Sequence, residues 1–204
     1  GVQTCALPIL TREIDRPLNL EMAATDEMLA IALRHKPHAA CIVPEKREER
    51  TTEGGLDVVG GFERLTRYVG ELNAAGIRVS LFIEPDAAAL DAACKLGAPV
   101  VELHTGSYCE AHIEAAGSAR TQRELKRILD AAAHADAIGL ECHAGHGLGF
   151  DSVSPVAAIP SIVELNIGHF LIGEAIFGGL DSAVRRMRAL MDTAPSGAIG
   201  AASA

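Results

Sequence analysis

From Leu18 onward, short apolar runs alternate with stretches whose apolar positions recur at helical spacing. This rhythm predicts parallel strands joined by crossover helices, and hence an α/β barrel or a doubly wound sheet. Strands are predicted over 18–23, 39–43, 78–83, 99–104, 139–143 and 162–166. Thr25 is placed to cap a helix, with Asp26 and Glu27 in its first turn, where carboxylates suit the helix dipole. Further helices are expected over 61–75, 86–96 and 121–136, with a short one from Phe170 and an amphipathic one from Asp181. Between strand and helix, residues 44–57 are polar, charge-rich and long for such a connection, which marks either a functional lid or disorder. Residues 105–120, with Gly106 and Gly117, read as a plain connection.

Six strands are two short of a closed (β/α)8 barrel. The missing pair would precede Leu10, and the first and last strands would then present unpaired edges, a liability for solubility. Gly1 to Ile9 read as the translation of a sequencing-library adapter and are set aside from fold reasoning. Residues 10–193 are expected to form the partial barrel, supplying strands three to eight, and the small, polar residues 194–204 a disordered tail.

Composition narrows the function classes. With 204 residues, 49% of them apolar, the chain can bury one sizeable core. A formal charge of −9 leaves no basic stripe for nucleic acid or an anionic membrane. No apolar run approaches the roughly 20 residues of a spanning helix, and no export signal is legible, which fits a cytoplasmic enzyme. The five cysteines form no CxxC pair and read as reduced, small buried hydrophobes.

In an α/β barrel the chemistry sits at the C-terminal ends of the strands. Glu21 lies within a predicted strand, where an inward carboxylate needs a partner or a task. Glu102 and His104 alternate along another strand and share one side of the sheet. Cys142, His143 and His146 crowd one turn, where zinc binding is a rival reading, although the spacing fits no common zinc motif. His146, between Gly145 and Gly147, suits proton transfer near neutral pH. Gly168 and His169 end the last strand ahead of a helix whose first amides could hold a phosphate.

Six strings occur in order at comparable spacing: Asn19-Leu20-Glu21-Met22-Ala23, Val43-Pro44-Glu45-Lys46-Arg47, Thr51-Thr52-Glu53-Gly54-Gly55-Leu56-Asp57, Glu102-Leu103-His104-Thr105-Gly106, Ala144-Gly145-His146-Gly147-Leu148 and Glu164-Leu165-Asn166-Ile167-Gly168-His169. Together they resemble the pyridoxine 5′-phosphate synthase family. The resemblance implies a (β/α)8 TIM barrel, assembled as a homo-octamer, that condenses 1-deoxy-D-xylulose 5-phosphate with 3-amino-2-oxopropyl phosphate. The products are pyridoxine 5′-phosphate, phosphate and water, and no metal or redox cofactor is implied. By the same resemblance Glu21 is a general base, His146 the general acid and Glu102 a carboxylate that stabilises a transition state. Thr51 would contact the pentulose phosphate, and Gly147, Gly168 and His169 the amino-ketone phosphate.

The family's first strand supplies an Asn-x-Asp-His segment and a following Arg, and its second a His base with an adjacent Arg. Neither segment has a counterpart in this sequence, so the chain by itself is expected to be inactive. The rival readings are a different phosphate-binding barrel enzyme, a non-catalytic barrel that binds sugar phosphates, and a zinc hydrolase using His143 and His146.

Overall fold

The computed structural model describes residues 2–44 and 54–194, with the backbone alone for 2–5. In chain order the elements are α1 (Val2–Glu13), β1 (Asn19–Ala23), α2 (Asp26–His35), β2 (Ala39–Val43), α3 (Phe62–Ala74), β3 (Arg78–Ile83), α4 (Ala87–Leu96), β4 (Val100–His104), α5 (Gly106–Glu114), α6 (Ala119–Ala137), β5 (Glu141–Gly145), α7 (Val153–Ala157), β6 (Ile162–Asn166), α8 (His169–Gly178) and α9 (Leu180–Asp192). The six strands form one sheet in sequence order, β1 to β6. The registers of β1 with β2, β2 with β3, and β5 with β6 are parallel. The strand–helix alternation legible in the sequence is therefore present. The chain divides into two compact units, Gly1–Val101 and Glu102–Ala204.

In the first unit, the side-chain oxygen of Thr25 accepts from the Met28 amide at 3.3 Å and opens α2, as its position in the sequence suggests. Leu29 and Ala32 form the buried face of α2. Leu65, Val69 and Leu72 recur at helical spacing on α3 and are fully buried. On β3, Val79, Ser80 and Leu81 are consecutive and all buried, as expected of a strand covered on both faces. Asp86 caps α4 through the Ala89 amide, and Gly97 ends that helix at φ 79°, the left-handed conformation glycine tolerates. Residues 2–9 belong to the same helix, α1, as Leu10–Glu13, and Leu7 in it is buried.

In the second unit, Ser118 caps the 19-residue α6 through the Thr121 amide, and Ile128, Ala131, Ala132 and Ala135 form the buried stripe of that helix. After α1, two helices were not anticipated. α5 occupies most of the stretch read as a plain connection, and α7 spans five residues. α5 opens on Gly106 and carries only a weak apolar periodicity, so the sequence advertises a turn there. β5 runs two residues beyond the predicted strand, through Ala144 and Gly145, because the Gly-rich stretch continues the ladder before it turns. Among the described residues no helix is long and apolar enough to cross a membrane.

Candidate active site

In the first unit, Glu21 lies mid-strand on β1, in register with Cys41 of β2. It is exposed while its neighbour Met22 is buried, so the carboxylate is carried on the opposite face of the strand from the core. The connection following β2 returns to the end of β3. The Leu56 amide donates to the Phe82 carbonyl at 2.7 Å, and the Gly55 amide to Glu84 Oε1 at 3.0 Å. A Cβ on Gly55 would come within 2.3 Å of the Glu84 nitrogen, so only glycine lets the returning chain lie on that strand. Thr51 lies outside the described residues, as do Glu45 to Glu53 of the segment read as a lid.

In the second unit, the C-terminal ends of β4, β5 and β6 bring one cluster together. Glu102 and His104 project from β4 and are both buried. Glu102 Oε2 accepts from Asn166 Nδ2 at 2.8 Å, which ties the end of β4 to the end of β6. Gly145 lies between them: a Cβ there would sit 2.2 Å from Glu102 Oε1 and 2.9 Å from the Asn166 carbonyl oxygen. An absent side chain on β5 thus makes room for the carboxylate.

His146 follows at φ 76° and Gly147 at φ 85°. A left-handed histidine costs about 1–2 kcal/mol relative to an ordinary conformation, so its surroundings must hold it there. Its ring lies 5.0 Å from that of His104, tilted by 50°. Gly106, at the start of α5, allows this approach, since a Cβ there would come within 2.6 Å of His104 Nε2. Gly147 is exposed, and a side chain on it would press on Cys109 at 3.1 Å. Gly168 and His169 are exposed at the start of α8, where the first-turn amides have no intrahelical acceptor. The structure therefore groups Glu102 and His146 with the β6 end, and leaves Gly147, Gly168 and His169 as exposed residues of the same unit.

His143 serves elsewhere. The Nε2–H of its buried ring donates to Glu141 Oε1 at 2.8 Å, and its Nδ1 faces Glu164 Oε1 at 3.4 Å. Burial pushes the Cys142 thiol up to about 12, so it remains a thiol at neutral pH, unsuited to act as a nucleophile. Burial likewise raises the Cys109 thiol. Among the described residues no group of three or more His, Cys, Asp and Glu side chains is placed to hold a metal ion.

Sequence reasoning missed Asn166 as the partner of Glu102, and it missed Thr105, whose hydroxyl reaches the Gly145 and His146 carbonyls. Asn166 was visible only as the last residue of a strand, and nothing in one chain reveals which of several strand-end groups it meets.

Comparison with known proteins places this geometry. Residues 2–193 match the model of the family described as pyridoxal phosphate biosynthesis protein PdxJ. A pyridoxine 5′-phosphate synthase of Rhodospirillum rubrum is 70% identical over 192 residues, covering 94% of this chain and 76% of that protein. One of Ruegeria pomeroyi is 60% identical over 178 residues, covering 87% and 71%. Among solved structures, the 3-keto-L-gulonate-6-phosphate decarboxylase of Vibrio cholerae superposes with a TM-score of 0.62 over 94% of this chain and 80% of its own, at 13% identity, a likeness of TIM-barrel-type fold alone. A six-stranded parallel arrangement with alternating helices, strand ends that converge on Glu102 and His146, and identity at this level lead to one assignment: the chain belongs to the PdxJ family of pyridoxine 5′-phosphate synthases.

Proposed function

We propose that this chain carries the general acid and the transition-state carboxylate of a synthase that condenses 1-deoxy-D-xylulose 5-phosphate with 3-amino-2-oxopropyl phosphate into pyridoxine 5′-phosphate, phosphate and water. The observation that carries the reading is the apposition of Glu102 and the His146 turn, with Gly145 left bare between the strand ends. Imine formation, loss of phosphate, dehydration and ring closure each move protons, so positioned acids and bases supply the chemistry. His146, half-buried on a turn and free of metal-ligand spacing, suits delivery of a proton to a leaving oxygen. Glu102, buried and fixed by Asn166, suits stabilisation of a developing cation. Glu21, carried on the exposed face of β1, is the general base.

Both substrates are phosphate esters, whereas the chain has a net charge of −9, so the phosphates require local donors. The exposed residues Gly147, and Gly168 and His169 where α8 begins, suit the amino-ketone phosphate. Thr51 is assigned to the pentulose phosphate. Residues 10–193 form the catalytic part, in a cytoplasmic homo-oligomer, an octamer as in the family.

The test uses an extended chain, in which the share of the Rhodospirillum rubrum relative left out of the match is joined to this sequence. With both substrates it is expected to release one phosphate for each ring formed, and Glu21→Gln to lose most of that turnover, about 100-fold or more. Near-normal turnover by Glu21→Gln removes that residue from the mechanism, and phosphate release from either substrate alone indicates a different phosphate-handling barrel. The chain by itself is the comparison, expected to give little product because no residue of it matches the family's histidine base.

A further inference from the structure

Thr105 follows β4 and stands at the N-cap of α5, the position where a threonine hydroxyl ordinarily accepts a hydrogen bond from the first turn of its own helix. Here it makes no such bond. The hydroxyl instead reaches across to the end of β5, 2.8 Å from the Gly145 carbonyl and 2.5 Å from the His146 carbonyl. The Thr105 amide adds a second donor to the Gly145 carbonyl at 2.9 Å. Cys109, one turn along α5, places its sulfur 3.9 Å from the same hydroxyl and 3.8 Å from the His146 carbonyl. Thr105 is completely buried, so water cannot replace its proton.

These contacts converge on the strained point of the site, the left-handed His146 followed by left-handed Gly147. An unfavourable backbone conformation persists where its surroundings over-determine it. A hydroxyl has one proton, shared here between two adjacent carbonyls, and it fixes the peptide planes on either side of the His146 α-carbon. The direction of the imidazole follows from those planes and from its packing on His104.

We infer that Thr105 is the positioning residue for the general acid: its hydroxyl clamps the left-handed turn that aims His146, and it acts on the reaction only through that histidine. The inference rests on the reading of His146 given above.

Three proteins test it: the wild type, Thr105→Val, which keeps the shape and removes the hydroxyl, and Thr105→Ser, which keeps the hydroxyl. The first readout is the ring resonances of His146 by NMR in the chain itself, assigned by their loss in His146→Asn. The second is turnover in the extended chain. Thr105→Val is expected to displace or broaden the His146 resonances while those of His134 stay in place, and to lower kcat by about 100-fold at little change in KM, as a small misplacement of a catalytic group does. Thr105→Ser is expected to restore both. Should the valine variant fail to fold, Thr105→Ala carries the same test.

His146 resonances that stay unmoved in a folded hydroxyl-free variant overturn the clamp, whatever the turnover. Resonances that move in valine and return in serine, with turnover unaffected throughout, uphold the clamp and remove His146 from catalysis.

Discussion

His146→Asn in the extended chain is expected to lower turnover by about 10²–10⁴-fold, the range over which a positioned acid or base contributes. Asparagine retains a hydrogen-bonding side chain of similar reach and is itself one of the few residues that tolerate a left-handed backbone, so the turn at φ 76° should survive the exchange. The loss should therefore appear in kcat, with substrate binding and the unfolding midpoint little altered. The proton chemistry alone is removed, because asparagine cannot titrate near neutral pH. If the pH–rate profile of the variant keeps its shape and its magnitude, the acid lies elsewhere in the protein.

Gly145→Ala is expected to damage both stability and turnover. The added methyl would sit 2.2 Å from Glu102 Oε1, 2.9 Å from the Asn166 carbonyl oxygen and 3.1 Å from the Asn166 Cβ. The Glu102 carboxylate would have to move, and its 2.8 Å bond from Asn166 would be lost or rebuilt. Overpacking of this kind costs about 1–3 kcal/mol. Gly70→Ala is the control: Gly70 is an exposed residue within α3, and a Cβ there meets nothing within 4 Å. That exchange should stabilise by about 0.5–1 kcal/mol, the ordinary helix preference of alanine over glycine. Urea titrations of the two variants should therefore shift in opposite directions. A Gly145→Ala variant as stable and as active as the wild type would mean that Glu102 is not confined by β5.

The strands were legible because buried parallel strands leave an unmistakable trace. Val79, Ser80 and Leu81 form a short continuous buried run bounded by Gly76 and Pro85, and Ile162–Asn166 was delimited correctly although only Ile162 of it is buried. Thr25 announced its helix because capping is local chemistry between residues three apart. α5 escaped notice because its first residue is glycine and its buried face, Gly106, Tyr108, Cys109 and Ala111, holds few large apolar side chains.

In the site, residue types at the strand ends pointed to Glu102 and His146, since carboxylates and imidazoles at such places demand an explanation. What could not be read was how they are held. Gly145 looked like one more glycine in a glycine-rich turn, yet its lack of a side chain is what accommodates Glu102. Thr105 fell in the stretch read as a plain connection, and its hydroxyl is directed to another strand, 40 and 41 residues along the chain. Both facts depend on which strands are neighbours, and a single sequence does not contain that pairing explicitly. The pair His143 and His146, which invited a metal reading, is divided in the same way: Glu141 and Glu164 flank the first, and the second turns toward His104.

The central claim is that Glu102 and His146 belong to a machine that builds one ring from two phosphorylated precursors. The most direct measurement supplies the extended chain with 1-deoxy-D-xylulose 5-phosphate and 3-amino-2-oxopropyl phosphate, each carrying carbon labels of different mass, and analyses the product by mass spectrometry. A single pyridoxine 5′-phosphate species that contains the labels of both precursors is expected, and its loss in His146→Asn. A product labelled from one precursor only, or a doubly labelled product formed equally well by His146→Asn, would contradict the claim.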